Sequence, residues 1–137
     1  MSSRKRILLV EDSEADVTLA LEALDALASV VAIARDGQEA IDYLAAREAP
    51  DVLLLDLKLP KVDGLAVLAH VKRDARLRHL PVVMLTSSAE EADVVRSYEL
   101  GVNAYVVKPH SFDELRAAFA RVGRFWAHLN QPPILAS

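Results

Sequence analysis

The chain has 137 residues, 53% of them hydrophobic and 26% charged, which is enough for one full core and too apolar for a disordered segment. A net charge of −4 and a pI near 5.5 lack the basic footprint that nucleic-acid binding requires. The absence of cysteine excludes disulfide and thiolate chemistry and suits a reducing cytoplasm. Ser2 to Arg6 has the basic start of a signal peptide, but the apolar run Ile7–Val10 stops at Glu11. That run is too short for export or membrane spanning, so a cytoplasmic protein is expected.

In chain order, a strand is expected at Ile7–Val10, a helix at Ala15–Leu27, a strand at Val30–Ala34 and a helix at Gln38–Ala46. Strand Val52–Leu55, helix Leu65–Arg73, strand Val82–Leu85, helix Glu91–Leu100, strand Ala104–Val107 and helix Phe112–Leu129 complete the alternation. Continuous rather than alternating apolar strands mark a parallel sheet buried on both faces. Five strand–helix units predict a doubly wound, flavodoxin-like α/β fold with strand order 2-1-3-4-5. Ser88 with Glu91, and Ser111 with Glu114, have the spacing of capping boxes. Gly101 stands where a left-handed helix cap is wanted, and Gly37 and Gly64 mark turns. One domain over 1–130 is expected, followed by a C-terminal arm at 131–137 and no separate output domain.

In such a sheet, ligands bind outside the carboxyl ends of the strands, where the strand order reverses. Glu11 and Asp12 end the first strand, Asp56 the third, Thr86 the fourth and Lys108 the fifth. An aspartate there is a competent nucleophile for forming an acyl phosphate. Three neighbouring carboxylates repel one another, and Mg²⁺ removes the conflict while neutralising incoming phosphoryl oxygens. Lys108 supplies a mobile ammonium, and Thr86 a hydroxyl on the same edge. The blander alternative is that acidic residues follow strands because turns and helix N-caps favour them, with Asp12 or Ser13 serving only as a cap.

Leu8-Leu9-Val10-Glu11-Asp12, Asp56-Leu57-Lys58-Leu59-Pro60 with Asp63-Gly64, Leu85-Thr86-Ser87 and Tyr105-Val106-Val107-Lys108-Pro109 resemble the receiver domain of two-component response regulators, from Arg6 to about Val122. The resemblance implies that Asp56 accepts a phosphoryl group from a phosphohistidine on a sensor histidine kinase. It further implies that Asp12, Asp56 and the backbone carbonyl of Lys58 bind Mg²⁺, with Glu11 acting through water. Thr86 and Lys108 would hold the phosphate, and the Lys108–Pro109 bond would be cis. Thr86 drawn inward would leave space for the ring of Tyr105, switching a face made by the fourth helix, fifth strand and fifth helix. Catalysis would be confined to Mg²⁺-dependent self-phosphorylation and autodephosphorylation.

Phe112, Leu115, Phe119, Val122, Trp126 and Leu129 form a 3-4-3-4-3 seam that outlasts the sheet it should cover. A homodimer is therefore expected through the fourth and fifth helices and the arm, using Phe125, Trp126, Leu129, Pro132, Pro133 and Ile134. Packing on the chain's own body is the alternative. This ending, with Ile41-Asp42-Tyr43-Leu44, is similar to the stand-alone regulators paired with bacterial phytochrome kinases.

Among competing readings, a flavin or nucleotide module wants a glycine-rich phosphate loop where this chain has Glu11-Asp12-Ser13-Glu14. An aspartate phosphatase wants an acid two residues past its nucleophile, where this chain has Lys58. A phosphorylation-independent docking module, or pseudo-receiver, would lack some of the five key residues, all of which are present. A phosphate sink stays open on sequence alone.

Overall fold

The apolar runs become five short strands, β1 (Arg6–Val10), β2 (Val30–Ala34), β3 (Val52–Leu55), β4 (Val82–Thr86) and β5 (Ala104–Val107), in a computed structural model that describes residues 5–27 and 29–133. They form one parallel sheet in the order β2-β1-β3-β4-β5. Between and after them lie α1 (Glu14–Asp25), α2 (Gly37–Ala46), α3 (Gly64–Arg73), α4 (Glu91–Glu99) and α5 (Phe112–Gly123), and α5 runs on into a π-helical extension, Arg124–Leu129.

Side chains on successive strand residues point to opposite faces, and here each face has its own core. Leu8, Val10, Leu53, Leu55 and Met84 pack against Leu44 of α2 and Val67, Leu68 and Val71 of α3. Ile7, Leu9, Val52, Leu54, Val83 and Leu85 pack against Leu19 and Leu24 of α1 and Leu115 and Phe119 of α5. The three central strands are buried on both sides, as the unbroken apolar runs predict. β2 and β5 are the edges, where Val30 and Val107 are exposed.

Local signals account for most element ends. Ser13, Asp36, Asp63 and Ser111 each accept an amide hydrogen bond at the N-terminus of the following helix. Gly101 adopts φ +98°, and its N–H donates to the Tyr98 carbonyl at 3.0 Å, the left-handed cap expected for α4.

Three expectations need correction. The Ser88–Glu91 capping box does not form, because α4 takes Glu90 as its N-cap and Ser88 lies two residues too early. The Ser88 hydroxyl donates instead to Asp93 Oδ2 at 2.5 Å. The Lys108–Pro109 bond is trans, since the described residues contain no cis peptide. Trans is the form a prolyl bond favours by about 0.5–1 kcal/mol when nothing around it selects otherwise. The fifth helix is not one continuous seam to Leu129 either. The Asn130 N–H donates to the Phe125 carbonyl, five residues back, at 2.6 Å, and this widened turn rotates the apolar stripe. Ala127 turns inward and Trp126 packs on the α1/α5 core, while Phe125 and Leu129 stay exposed at 47% and 69%. Pro132 and Pro133 line a cavity of about 210 Å³ with Ala49, Pro50, Asp51, Arg76 and His79, so the start of the arm lies against the chain's own body. Ile134 falls outside the described residues.

Candidate functional site

Parallel register levels the strand ends. Val10 pairs with Leu55 and Leu55 with Met84, and the Asp56 N–H donates to the Val10 carbonyl at 3.0 Å. Thr86 pairs with Val107, and the Lys108 N–H donates to the Thr86 carbonyl at 2.7 Å. Glu11, Asp56 and Lys108, which follow β1, β3 and β5, therefore share one crevice. Glu11, Asp12 and Asp56 each offer a carboxylate oxygen within 4.8 Å of the others. Lys108 Nζ stands 2.6 Å from Glu11 Oε1 and 3.3 Å from Asp56 Oδ2. Asp56 Oδ1 accepts the Leu57 N–H at 2.7 Å, and Glu11 Oε2 accepts the Ser13 N–H at 3.1 Å. Sequence reasoning brings these residues together, and so does the fold.

Burial sets the electrostatics. Glu11 is 2% exposed, and desolvation pushes its carboxyl up to about 7. The hydrogen bond from Lys108 pulls the other way, and the charge of Asp56 adds to the rise. Burial works to lower the Lys108 ammonium, but hydrogen bonds to Asp16 and Glu11 outweigh it and hold the group well above its usual range. Hard carboxylate oxygens in a cluster this tight suit a divalent cation of the Mg²⁺ class. The Lys58 side chain is exposed, with Nζ 3.9 Å from Asp93 Oδ2.

Thr86 is buried at the end of β4, and its Oγ1 accepts the Ser88 N–H at 3.4 Å. Tyr105 is half-buried, and its hydroxyl donates to the Ser88 carbonyl at 2.9 Å. Burial raises the Tyr105 phenol, a side-chain interaction with Ser88 opposes the rise, and the carboxylates of Asp93, Asp56 and Glu90 add to it. Two site residues escape sequence reasoning. Asp16, one turn into α1, places Oδ2 2.7 Å from Lys108 Nζ. Asp93 ties Ser88 to Lys58. Each reads in sequence as a first-turn acid of a helix, with no spacing that points to a distant partner.

The family model for the response regulator receiver domain matches residues 7–120. The chain is a response regulator receiver domain. As a receiver it works in two-component signalling, where a sensor kinase is the partner. It is 42% identical over 130 residues to the response regulator Rcp1 of Synechocystis sp., covering 89% of this chain and 88% of Rcp1. Rcp1 has also been solved in its Mn²⁺-bound form, with TM-score 0.89 and 40% identity over 95% of this receiver and 99% of that chain. The phosphorylated cyanobacterial phytochrome response regulator RcpA matches at TM-score 0.92 and 40% identity, covering 96% of this receiver and all of that chain. The bacteriophytochrome response regulator AtBRR is 54% identical, with TM-score 0.72, over 95% of this receiver and 100% of that chain. Among the described residues, no helix of the receiver is long and apolar enough to cross a membrane.

Proposed function

We propose that Asp56 is the phosphoacceptor and that the sensor kinase's phosphohistidine is the donor. The observation that carries this reading is the placement of one strand-end aspartate within a carboxylate cluster and 3.3 Å from a buried ammonium. An Asp56 carboxylate oxygen bonds to phosphorus as the P–N bond breaks, and the electron pair of that bond returns to the imidazole nitrogen. Asp12, Asp56 and the backbone carbonyl of Lys58 would hold Mg²⁺, with Glu11 acting through water; bound there, the ion neutralises the phosphoryl oxygens. Lys108 swings from the carboxylates to a phosphoryl oxygen, and the Thr86 hydroxyl donates to another. The chain turns over no other substrate; it charges and discharges its own side chain.

Thr86 and Tyr105 carry the signal. Both hydrogen-bond to the backbone of Ser88, so drawing Thr86 toward phosphate disturbs the anchor of the Tyr105 hydroxyl. Moving such a switch from 1:99 to 99:1 takes about 5.5 kcal/mol, within reach of several charge-assisted hydrogen bonds at about 1.5–3 kcal/mol each. Incubation of the wild type with a small phosphodonor and Mg²⁺ is expected to yield a hydroxylamine-labile phosphoprotein, and Asp56→Asn none. Labelling of Asp56→Asn at the wild-type rate would overturn the assignment.

The receiver acts in the cytoplasm, and its kinase is a bacterial phytochrome; the resemblance to RcpA and AtBRR supports that pairing. It pairs with a second copy of itself through α4, β5 and the end of α5. In support, Val95, Tyr98, Val107, Phe125 and Leu129 are exposed apolar or aromatic residues on those elements. Sedimentation equilibrium is expected to give a dimer for the wild type and a monomer for the Phe125→Ser/Leu129→Ser double variant. A monomeric wild type would refute the pairing.

A further inference from the structure

Asp16 stands outside the acidic cluster that suits a metal, yet it holds the same ammonium. Lys108 Nζ has three protons and meets three carboxylates, at 2.6 Å in Glu11, 2.7 Å in Asp16 and 3.3 Å in Asp56. The two short bonds go to residues other than the acceptor. A first-turn acid needs no partner to favour its helix dipole. This one reaches across 92 positions of sequence to a side chain that is 6% exposed, and is itself only 18% exposed. The backbone of the same turn is fixed independently, by the Asp16 N–H donating to Ser13 Oγ at 3.3 Å.

We propose that Asp16 is a positioning residue that draws the Lys108 ammonium toward α1 and thereby sets how readily Lys108 turns to a phosphoryl group on Asp56. The inference rests on the assignment of Asp56 as phosphoacceptor. An arriving phosphoryl group brings up to two negative charges and several strong acceptor oxygens. Lys108 has no spare proton for them, so it must release a carboxylate. Glu11 and Asp56 belong to the cluster that would hold the metal, which leaves Asp16 as the partner Lys108 can release without disturbing that cluster. Asp16 therefore biases the receiver toward its resting arrangement, in competition with phosphate for one cation.

The test uses beryllofluoride, a phosphoryl mimic, with Mg²⁺ and the full chain. Asp16→Asn keeps size and shape and removes the charge; it is expected to tighten beryllofluoride about tenfold, the range of one charge-assisted hydrogen bond. Asp16→Glu, which can restore the ion pair, is expected to stay near wild type. The second readout is the Lys108 ammonium signal by ¹⁵N NMR without the mimic, which moves in Asp16→Asn if the lysine is released. Affinity within twofold of wild type in Asp16→Asn overturns the proposal. So does tighter binding with an unmoved Lys108 signal, because loss of a nearby negative charge would then explain the gain alone. Failure of the wild type to take up the mimic at all removes the Asp56 reading and this inference with it; uptake by wild type with no response in Asp16→Asn removes only the role of Asp16.

Discussion

Lys108→Met is expected to cost the metal-free protein about 3 kcal/mol at pH 8, near the lower end for breaking a buried ion pair, with Mg²⁺ restoring much of it. The side chain is 6% exposed and is the cation between Glu11, Asp16 and Asp56. Without it, three carboxylates face one another in a site with little water. For a chain of this size the loss corresponds to a melting point lower by about 10 °C. The pH dependence has a definite sign. Folding raises Glu11 from 4.5 to about 7, chiefly by burial, so the folded protein binds the extra proton. The metal-free fold therefore loses stability as pH climbs from about 4.5 to 7. In Lys108→Met the lysine's downward pull on Glu11 is gone, so that window extends further upward. Lys108 itself is raised from 10.5. Its stabilisation is fully present below that value and adds no slope between pH 5 and 8. Thermal melts at pH 5 and pH 8, with and without Mg²⁺, are expected to show the variant closest to wild type at pH 5 and in Mg²⁺. Equal stability at pH 8 without Mg²⁺ would mean that the crevice is not under electrostatic load.

Gly64→Ala is expected to damage both stability and phosphorylation from a position outside the charged cluster. An added Cβ would stand 2.2 Å from the Asp56 carbonyl oxygen and 2.7 Å from Leu57 Cα. Both are backbone atoms, and the Gly64 N–H donates to the Leu57 carbonyl at 2.8 Å, locking α3 to that loop. Nothing flexible can give way, so the helix start or the Asp56 loop must shift. Overpacking of this kind costs about 1–3 kcal/mol, and a displacement near 1 Å at a reacting group costs about a hundredfold in rate. Denaturant melts and acyl-phosphate formation from a small phosphodonor measure the two effects. A variant within about 0.5 kcal/mol of wild type, the range of an ordinary surface change, and labelled at the wild-type rate would contradict the geometry.

The fold was legible because the strands write themselves as unbroken apolar runs. Val30–Ala34, Val52–Leu55 and Ala104–Val107 are the observed strands to the residue, and the other two extend by one. Glu11, Asp12, Asp56, Thr86 and Lys108 were legible for the same reason, since each ends or follows a run whose direction a parallel sheet fixes. Asp16 was not, because its partner Lys108 lies 92 positions away, just past β5, and only the packing of α1 beside that strand end brings the two together. Ser88 misled because the capping pattern is satisfied by spacing alone, whereas the true N-cap depends on where the chain turns into α4. The end of α5 misled because one five-residue hydrogen bond, from Asn130 to Phe125, overrides a seam drawn for an ordinary helix. Neighbouring structure decides such choices; local pattern does not.

Chemical mapping of the phosphorylated residue bears most directly on the whole account. After exposure to a small phosphodonor and Mg²⁺, borohydride reduction converts an aspartyl phosphate to homoserine, and peptide sequencing by mass spectrometry locates it. The account predicts homoserine at position 56 with Glu11, Asp12 and Asp16 unmodified. Reduction at any of those three instead, or none anywhere in a preparation that has taken up phosphate, would contradict it.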